Sequence, residues 1–192
     1  MKRNRYLFVT VFAAATFAGL SAIVAIVAPP PLLIWNATAS APIGLYRIHP
    51  DRDPAIGTLV AVAPPERLAR WLSARSYLPE GVPLLKAVAA KAGQRVCRVG
   101  SAVSVDARPV AIARARDDRG RPLPVWRGCR TLEPGEIFLL NPSVPDSLDG
   151  RYFGPLPAST VIGRATPLHL RAPSPTASLP SKKEIGHADE YL

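Results

Sequence analysis

Ser40 and Lys86 are the two residues of this chain whose types and settings suit nucleophilic chemistry. A serine hydroxyl attacks a carbonyl only when a neighbouring base takes its proton, and that base is commonly a histidine. His49, His169 and His187 are isolated and stand in no motif, which turns attention to lysine. A lysine must be neutral to accept a proton, and at its ordinary pKa near 10.4 only about one in 2,500 is neutral at pH 7. Burial among apolar groups lowers that pKa by up to roughly 3–5 units. Lys2 precedes an apolar run, Lys182 and Lys183 lie near the C-terminus, and Lys91 stands beside Gly93 in an expected turn. Lys86 alone sits in the middle of an apolar strand, "PLLKAVAA". On an edge strand the same lysine would reach solvent instead. Ser40 also has two readings. It follows Ala37-Thr38-Ala39, the small-x-small pattern after which a secretory leader is removed, so it is either the first residue of a processed chain or a nucleophile.

The segment before Ser40 bears on that choice. Positions 7 to 28 form a run of 22 residues with no charge and no proline. This exceeds the roughly 18 residues that mark a spanning helix, and is longer than the roughly 7–15 of a cleavable leader core. Lys2, Arg3 and Arg5 precede it without an acidic residue, which predicts a cytoplasmic N-terminus. Pro29-Pro30-Pro31 is expected to stop the helix. The reading is an uncleaved, single-pass anchor with the rest of the chain outside the cytoplasm. Cys97 and Cys129 suit that compartment as a disulfide, which would stabilise the fold by roughly 3–4 kcal/mol; two unrelated buried thiols are the alternative. There is no C-x-x-C and no clustered histidine, so no metal and no cofactor is expected.

The net charge of +10 and the pI of 10.3 raise the question of nucleic acid. Basic residues concentrate between Arg108 and Arg130, yet no recognition helix, zinc finger or aromatic-plus-basic signature accompanies them. No nucleic-acid partner is expected. An anionic membrane surface or an acidic protein fits this cluster, and so does a solvated Arg-rich hairpin.

Downstream of the prolines the periodicity is that of strands. "GLYRIHP", "GTLVAVAPP", "LLKAVAA", "RVCRVG", "SAVSVDARPVAIA", "GEIFLLN" and "STVIGRATPLHL" are short apolar runs closed by turn residues, with a hairpin turn predicted at Asp106-Ala107-Arg108. Only 67–78, "RLARWLSARSYL", has helical spacing, with Leu68, Trp71, Leu72 and Arg75 on one side. The predicted fold is mainly β, a partly closed barrel or sandwich behind one N-terminal transmembrane helix. Three regions are expected: a tip and anchor over 1–28, a β-rich domain over 29–171, and a disordered tail over 172–192 rich in Pro, Ser and Thr.

Three segments carry a resemblance. Ser40-Ala41-Pro42-Ile43-Gly44-Leu45-Tyr46 resembles the S-x-P-x-G-x-Y nucleophile segment of the conjugative-transfer peptidases called TraF, a branch of the type I signal peptidase superfamily. "LLKAVAAKAGQRVC" is similar to the base-bearing strand of that family, and "DSLDGRYFGPLP" to its third segment, S-x-D-S-R-Y-x-G-P. The three stand in the family's order over about residues 36 to 165. Departures are Ala41, where signal peptidases proper carry Met, Gly150 in place of Ser, and Asn141-Pro142 in place of a G-D-N-R run.

The resemblance implies a signal-peptidase-like β domain in which Ser40 is the nucleophile and Lys86 the general base. It places at Ser147 a hydroxyl bonded to the lysine, and at Asp149 and Arg151 a charged pair orienting that wall. The Ser40 N–H and the Thr38 hydroxyl are the expected oxyanion donors; a local backbone bond is the other role open to Thr38. The implied function is a serine endopeptidase of the bacterial inner membrane, with a periplasmic catalytic domain that processes a pilin precursor for conjugative transfer, by hydrolysis or by cyclisation. Inner-membrane lipid and other conjugation or secretion components are the further partners. A general preprotein signal peptidase and a non-enzymatic anchored scaffold are the competing functions.

Overall fold

The computed structural model describes residues 2–27 and 33–171. Contacts divide the chain after Leu33, and each part is taken by itself. The first is one helix, α1 (Lys2–Val27). Its segment Asn4–Ile23 is long and apolar enough to cross a membrane, and every side chain along it is exposed. Two of its hydroxyls are satisfied within the helix: Thr10 and Thr16 donate to the carbonyls of Tyr6 and Phe12, each at 2.8 Å. A helix apolar on all sides, with its threonine hydroxyls bonded internally, is suited to hydrocarbon. The triproline and the expected tail, 172–192, lie outside the described residues.

The second part is mainly β. Strands β1 (Leu33–Asn36), β2 (Gly44–His49), β3 (Leu59–Val62), β4 (Leu84–Lys91), β9 (Glu136–Leu140), β10 (Leu156–Pro157) and β11 (Val161–Leu170) form one sheet in the order β1-β2-β11-β3-β4-β9-β10. Strands β5 (Arg95–Val99), β6 (Ala102–Val105), β7 (Arg108–Ile112) and β8 (Gly128–Thr131) form a second in the order β7-β6-β5-β8. The larger sheet curls into a half-barrel. β2 alternates, with Gly44, Tyr46 and Ile48 inward and Arg47 outward, as befits a strand with one wet face. Val60 to Val62 and Ile137 to Leu140 are buried without interruption, because β3 and β9 are covered on both faces. Phe138 and Leu140 pack with Val96, Val103 and Tyr152, while Val60, Val62, Val88 and Leu139 form a separate core.

All seven expected strand runs are present, the fifth as the β6–β7 hairpin. Its turn is formed by Asp106 and Ala107, both at positive φ (48° and 64°), and Arg108 opens β7. The Asp106 carboxylate accepts from the Arg95 N–H and the Gln94 side chain, both at 2.8 Å, which anchors the turn and lowers its pKa. The helix α2 (Glu66–Ala74) is shorter than 67–78. It ends because Ser76 turns left-handed at φ 54°, with Ser76 N–H to Ser73 O and Tyr77 N–H to Leu72 O, each 2.9 Å. This is a Schellman termination, and Trp71 stacks on Tyr77 across it at 5.4 Å.

Cys97 and Cys129 are directly opposed on β5 and β8 and joined by a disulfide. The bond ties a loop of 32 residues that includes the Arg-rich segment. Replacing both cysteines by serine should lower the unfolding free energy by roughly 3–4 kcal/mol, visible as a fall in denaturant midpoint. A midpoint insensitive to the pair or to reductant would rule that out.

Candidate active site

The segment bearing Ser40 is a loop from β1 to β2 folded around Asn36. The Asn36 side chain is buried, and its Nδ2 donates to the carbonyls of Thr38, Ala41 and Pro42 at 2.9, 3.0 and 3.1 Å. Its Oδ1 accepts from the Thr38 N–H at 3.2 Å and from Thr38 Oγ1 at 3.0 Å. The Tyr46 hydroxyl donates to Pro42 O at 2.7 Å from the strand that follows. Gly44 is where the loop enters β2: φ is 155°, and a Cβ there would lie 2.1 Å from His169 O on β11. Only glycine lets the two backbones approach so closely. Ser40 is left half-buried, its Oγ 3.1 Å from Thr38 Oγ1. Since Thr38 has one hydroxyl proton and gives it to Asn36, Ser40 is the donor in that contact.

Lys86 lies on β4 between β3 and β9, with Val60 its register partner. It is therefore interior to the sheet and not on an edge, and only 2% of it is exposed. Its Nζ donates to Ser147 Oγ at 2.8 Å. Burial pushes its pKa down from 10.5 to about 8. Asp149 pulls the value up and Arg151 pushes it down, so the ion pair nearby leaves desolvation in command. At about 8, roughly one lysine in ten is neutral at pH 7, against one in some thousands for a free side chain.

The wall behind Lys86 is the loop from Asn141 to the short helix α3 (Gly150–Phe153). Asp149 caps α3, accepting from the Arg151 N–H at 3.1 Å. Its carboxylate takes Arg151 Nε and Nη2, each at 2.9 Å. The guanidinium also donates to the carbonyls of Asn141, Val144 and Pro145 at 2.8, 2.8 and 3.0 Å, pinning the loop that presents Ser147. A Cβ at Gly150 would lie 2.7 Å from Leu139 O, which accounts for glycine at that departure from the family pattern.

Asn141 joins the pieces. Its Nδ2 donates to Ser40 O and, at 3.1 Å, to Leu85 O; its Oδ1 accepts from the Ala87 N–H at 3.0 Å. Its own N–H reaches Asp149 Oδ2 at 3.0 Å. It thus grips the backbone on both sides of Lys86 and at Ser40. Sequence reasoning passes over Asn36 and meets Asn141 only as a departure from the family pattern; a polar residue at an inward position of an apolar strand end is the signal each carries.

Thr38, Ser40 and Lys86 share one cleft of about 280 Å³, floored by Leu72, Leu78, Leu84, Val144 and Leu148. The hydroxyl and the amine face the same space and make no direct hydrogen bond. Ser147 accepts a hydrogen bond from Lys86, and Asp149 and Arg151 stand near enough to act on its charge, whereas Cys97 and Cys129 belong to the other sheet. Three arginines of the Arg-rich segment are ion-paired: Arg114 with Asp118 and Asp146, Arg121 with Asp117, Arg130 with Glu136.

An apolar cleft with a hydroxyl and a buried amine of lowered pKa is equipped for acyl transfer. Comparison with known proteins bears on the same chemistry. The family described as signal peptidase, peptidase S26, matches residues 4–169. The chain is 42% identical over 149 residues to a probable conjugal transfer protein TraF of Sinorhizobium fredii, covering 72% of this chain and 77% of that one. It is 38% identical to the conjugal transfer protein TraF of Agrobacterium fabrum over 69% of this chain and 80% of that one. A plasmid transfer protein TraF of Escherichia coli is 31% identical, with 66% and 77% covered. A solved signal peptidase I from Enterococcus faecalis aligns with 59% of this chain and 97% of its own, at 17% identity and a TM-score of 0.35. With its family match running from the N-terminal helix to the end of β11, the chain belongs to the signal peptidases of family S26, a family of serine peptidases.

Proposed function

We propose that the protein is a membrane-anchored endopeptidase that uses Ser40 as nucleophile and Lys86 as general base to process a pilin precursor for conjugative transfer. The observation that carries the pair is Lys86 itself, a buried lysine with a pKa of about 8 in the cleft that holds Ser40. Ser40 turns its hydroxyl from Thr38 toward Lys86, gives up the proton to Nζ, and its Oγ bonds to the scissile carbonyl. The tetrahedral oxyanion is received by the Ser40 N–H and by the Thr38 hydroxyl, which must leave Asn36 to do so. The C–N bond then breaks as Lys86 returns the proton to the departing amine. Water completes hydrolysis of the acyl-enzyme; if the amine at the pilin's own N-terminus attacks instead, the product is a ring. Ser147 holds the amine in line, and Asp149 with Arg151 holds Ser147.

Residues 1–28 serve as the cytoplasmic tip and anchor, and 29–171 as a periplasmic domain. Conjugation as the setting is supported by the TraF relatives. The test is the intact mass of the candidate pilin from cells carrying the wild-type chain or Ser40→Ala. Precursor accumulating only with Ser40→Ala is the expected result, and a wild-type product one water lighter than the cleaved linear chain identifies cyclisation. Equal masses in both strains would overturn the assignment.

A further inference from the structure

Tyr77 contributes to the walls of three adjoining cavities. One is the cleft of Ser40 and Lys86. A second, also of about 280 Å³, continues from Ser40 along Ile34, Trp35, Val82 and Leu84 and is mainly apolar. The third, about 230 Å³, lies beyond Asp146 and Leu148 and is lined by Arg114, Asp117, Asp118, Arg119 and Arg121. Tyr77 therefore stands where an apolar groove gives way to a charged one. The Schellman end of α2 sets its backbone, Trp71 stacks on one side of the ring, and the Arg121 guanidinium lies 4.5 Å from the ring centre. The hydroxyl donates to Asp117 Oδ2. Asp117 is itself fixed by Arg121 Nε at 2.7 Å and by the N–H groups of Arg119 and Arg121 at 3.0 and 2.7 Å. Desolvation disfavours the Asp117 carboxylate, but these hydrogen bonds prevail and hold its pKa far below the usual range. The clamp thus stays charged and closed at any physiological pH.

We propose that Tyr77 is the specificity-determining residue of the groove: its clamped ring ends the apolar subsite beside Ser40 and restricts the substrate side chain bound there to small apolar groups. A ring free to swing would yield to a larger side chain; one held by stacking, a cation and a hydrogen bond does not. The Arg-rich hairpin thereby acquires a task, which is to supply Asp117 and Arg121 as the clamp. The proposal rests on Ser40 and Lys86 being the catalytic pair.

The test is digestion of a proteome-derived peptide library by the purified full chain in detergent, with cut sites read by mass spectrometry. Ser40→Ala, Tyr77→Ala and Asp117→Ala are run beside the wild type, and near-UV circular dichroism checks folding. Tyr77→Ala should raise Leu, Ile and Phe relative to Ala by about tenfold at one position flanking the cut, since each added methylene is worth at least that much in a fitted pocket. Asp117→Ala keeps the ring and should shift the same position by about threefold. A merely structural role for Tyr77 would lower all cleavage without moving that ratio. Cleavage that Ser40→Ala abolishes and whose profile neither variant alters overturns the proposal alone. Cleavage that survives Ser40→Ala, or its absence in the wild type, overturns the catalytic reading beneath it.

Discussion

Lys86→Met is expected to lower kcat/KM by about 10⁴-fold or more while the domain stays folded, because the proposed mechanism then loses its base. The wild type should show the corresponding pH dependence. In that proposed mechanism only neutral Lys86 accepts the Ser40 proton, so kcat/KM should rise about tenfold per unit below pH 8 and level off above it. A midpoint near 6.5 would point to a histidine and sink the lysine assignment. The same shift has a consequence for stability. The folded-state pKa of about 8 lies below the unfolded value near 10.4, so between those values the unfolded chain binds more protons. Unfolding free energy should therefore rise with pH across that window, by about 3 kcal/mol for this residue. Below pH 8 the folded protein carries a charged, buried ammonium whose burial is unfavourable. Lys86→Met should abolish this rise, and urea titrations at pH 7 and pH 10 on both chains would measure it. An equal rise in the variant would assign it to another group.

Arg151→Met should destabilise the domain by about 3–5 kcal/mol, the usual cost of leaving a buried charge without its partner. Arg151 and Asp149 are 1% and 2% exposed, so water cannot replace the lost bonds. The guanidinium also holds the carbonyls of Asn141, Val144 and Pro145, which makes the variant loosen the Ser147 loop as well. In a double-mutant cycle with Asp149→Asn the coupling should exceed about 2 kcal/mol. Destabilisation below about 1 kcal/mol would mean that the pair does not hold this wall. Activity should fall with stability here, because Ser147 and Asn141 depend on the same contacts to align Lys86 and Ser40.

Much of this design is legible along the chain. Short apolar runs closed by turn residues mark β2, β3, β4, β5, β6, β7, β9 and β11, since both the run and its punctuation are local properties. The candidate membrane span within α1 is equally local, a matter of length and absent charge. Ser40 and Lys86 stand out because few environments tolerate a lysine amid alanines and valines. The strands β1, β8 and β10 and the helix α3 escape notice: β8 has no buried residue, β10 is two residues long, α3 is a single turn, and β1 follows closely on the triproline run.

What tertiary structure alone decides is which partners meet. Lys86 is interior because β3 and β9 pair on either side of β4, and a buried or an edge position reads identically in "PLLKAVAA". Cys97 and Cys129 join because β5 and β8 align in register. Within the basic cluster, Arg114, Arg121 and Arg130 meet Asp117, Asp118, Asp146 and Glu136, pairings that no spacing in the chain announces. Asn141 reaches Ser40 across 101 positions and Leu85 across 56. No spacing rule encodes such contacts, because hydrogen bonds between distant segments are set by strand register and loop path. The sequence determined the chemistry available and the strands that carry it; packing determined the low-dielectric setting and the long-range bonds that bring that chemistry to one cleft.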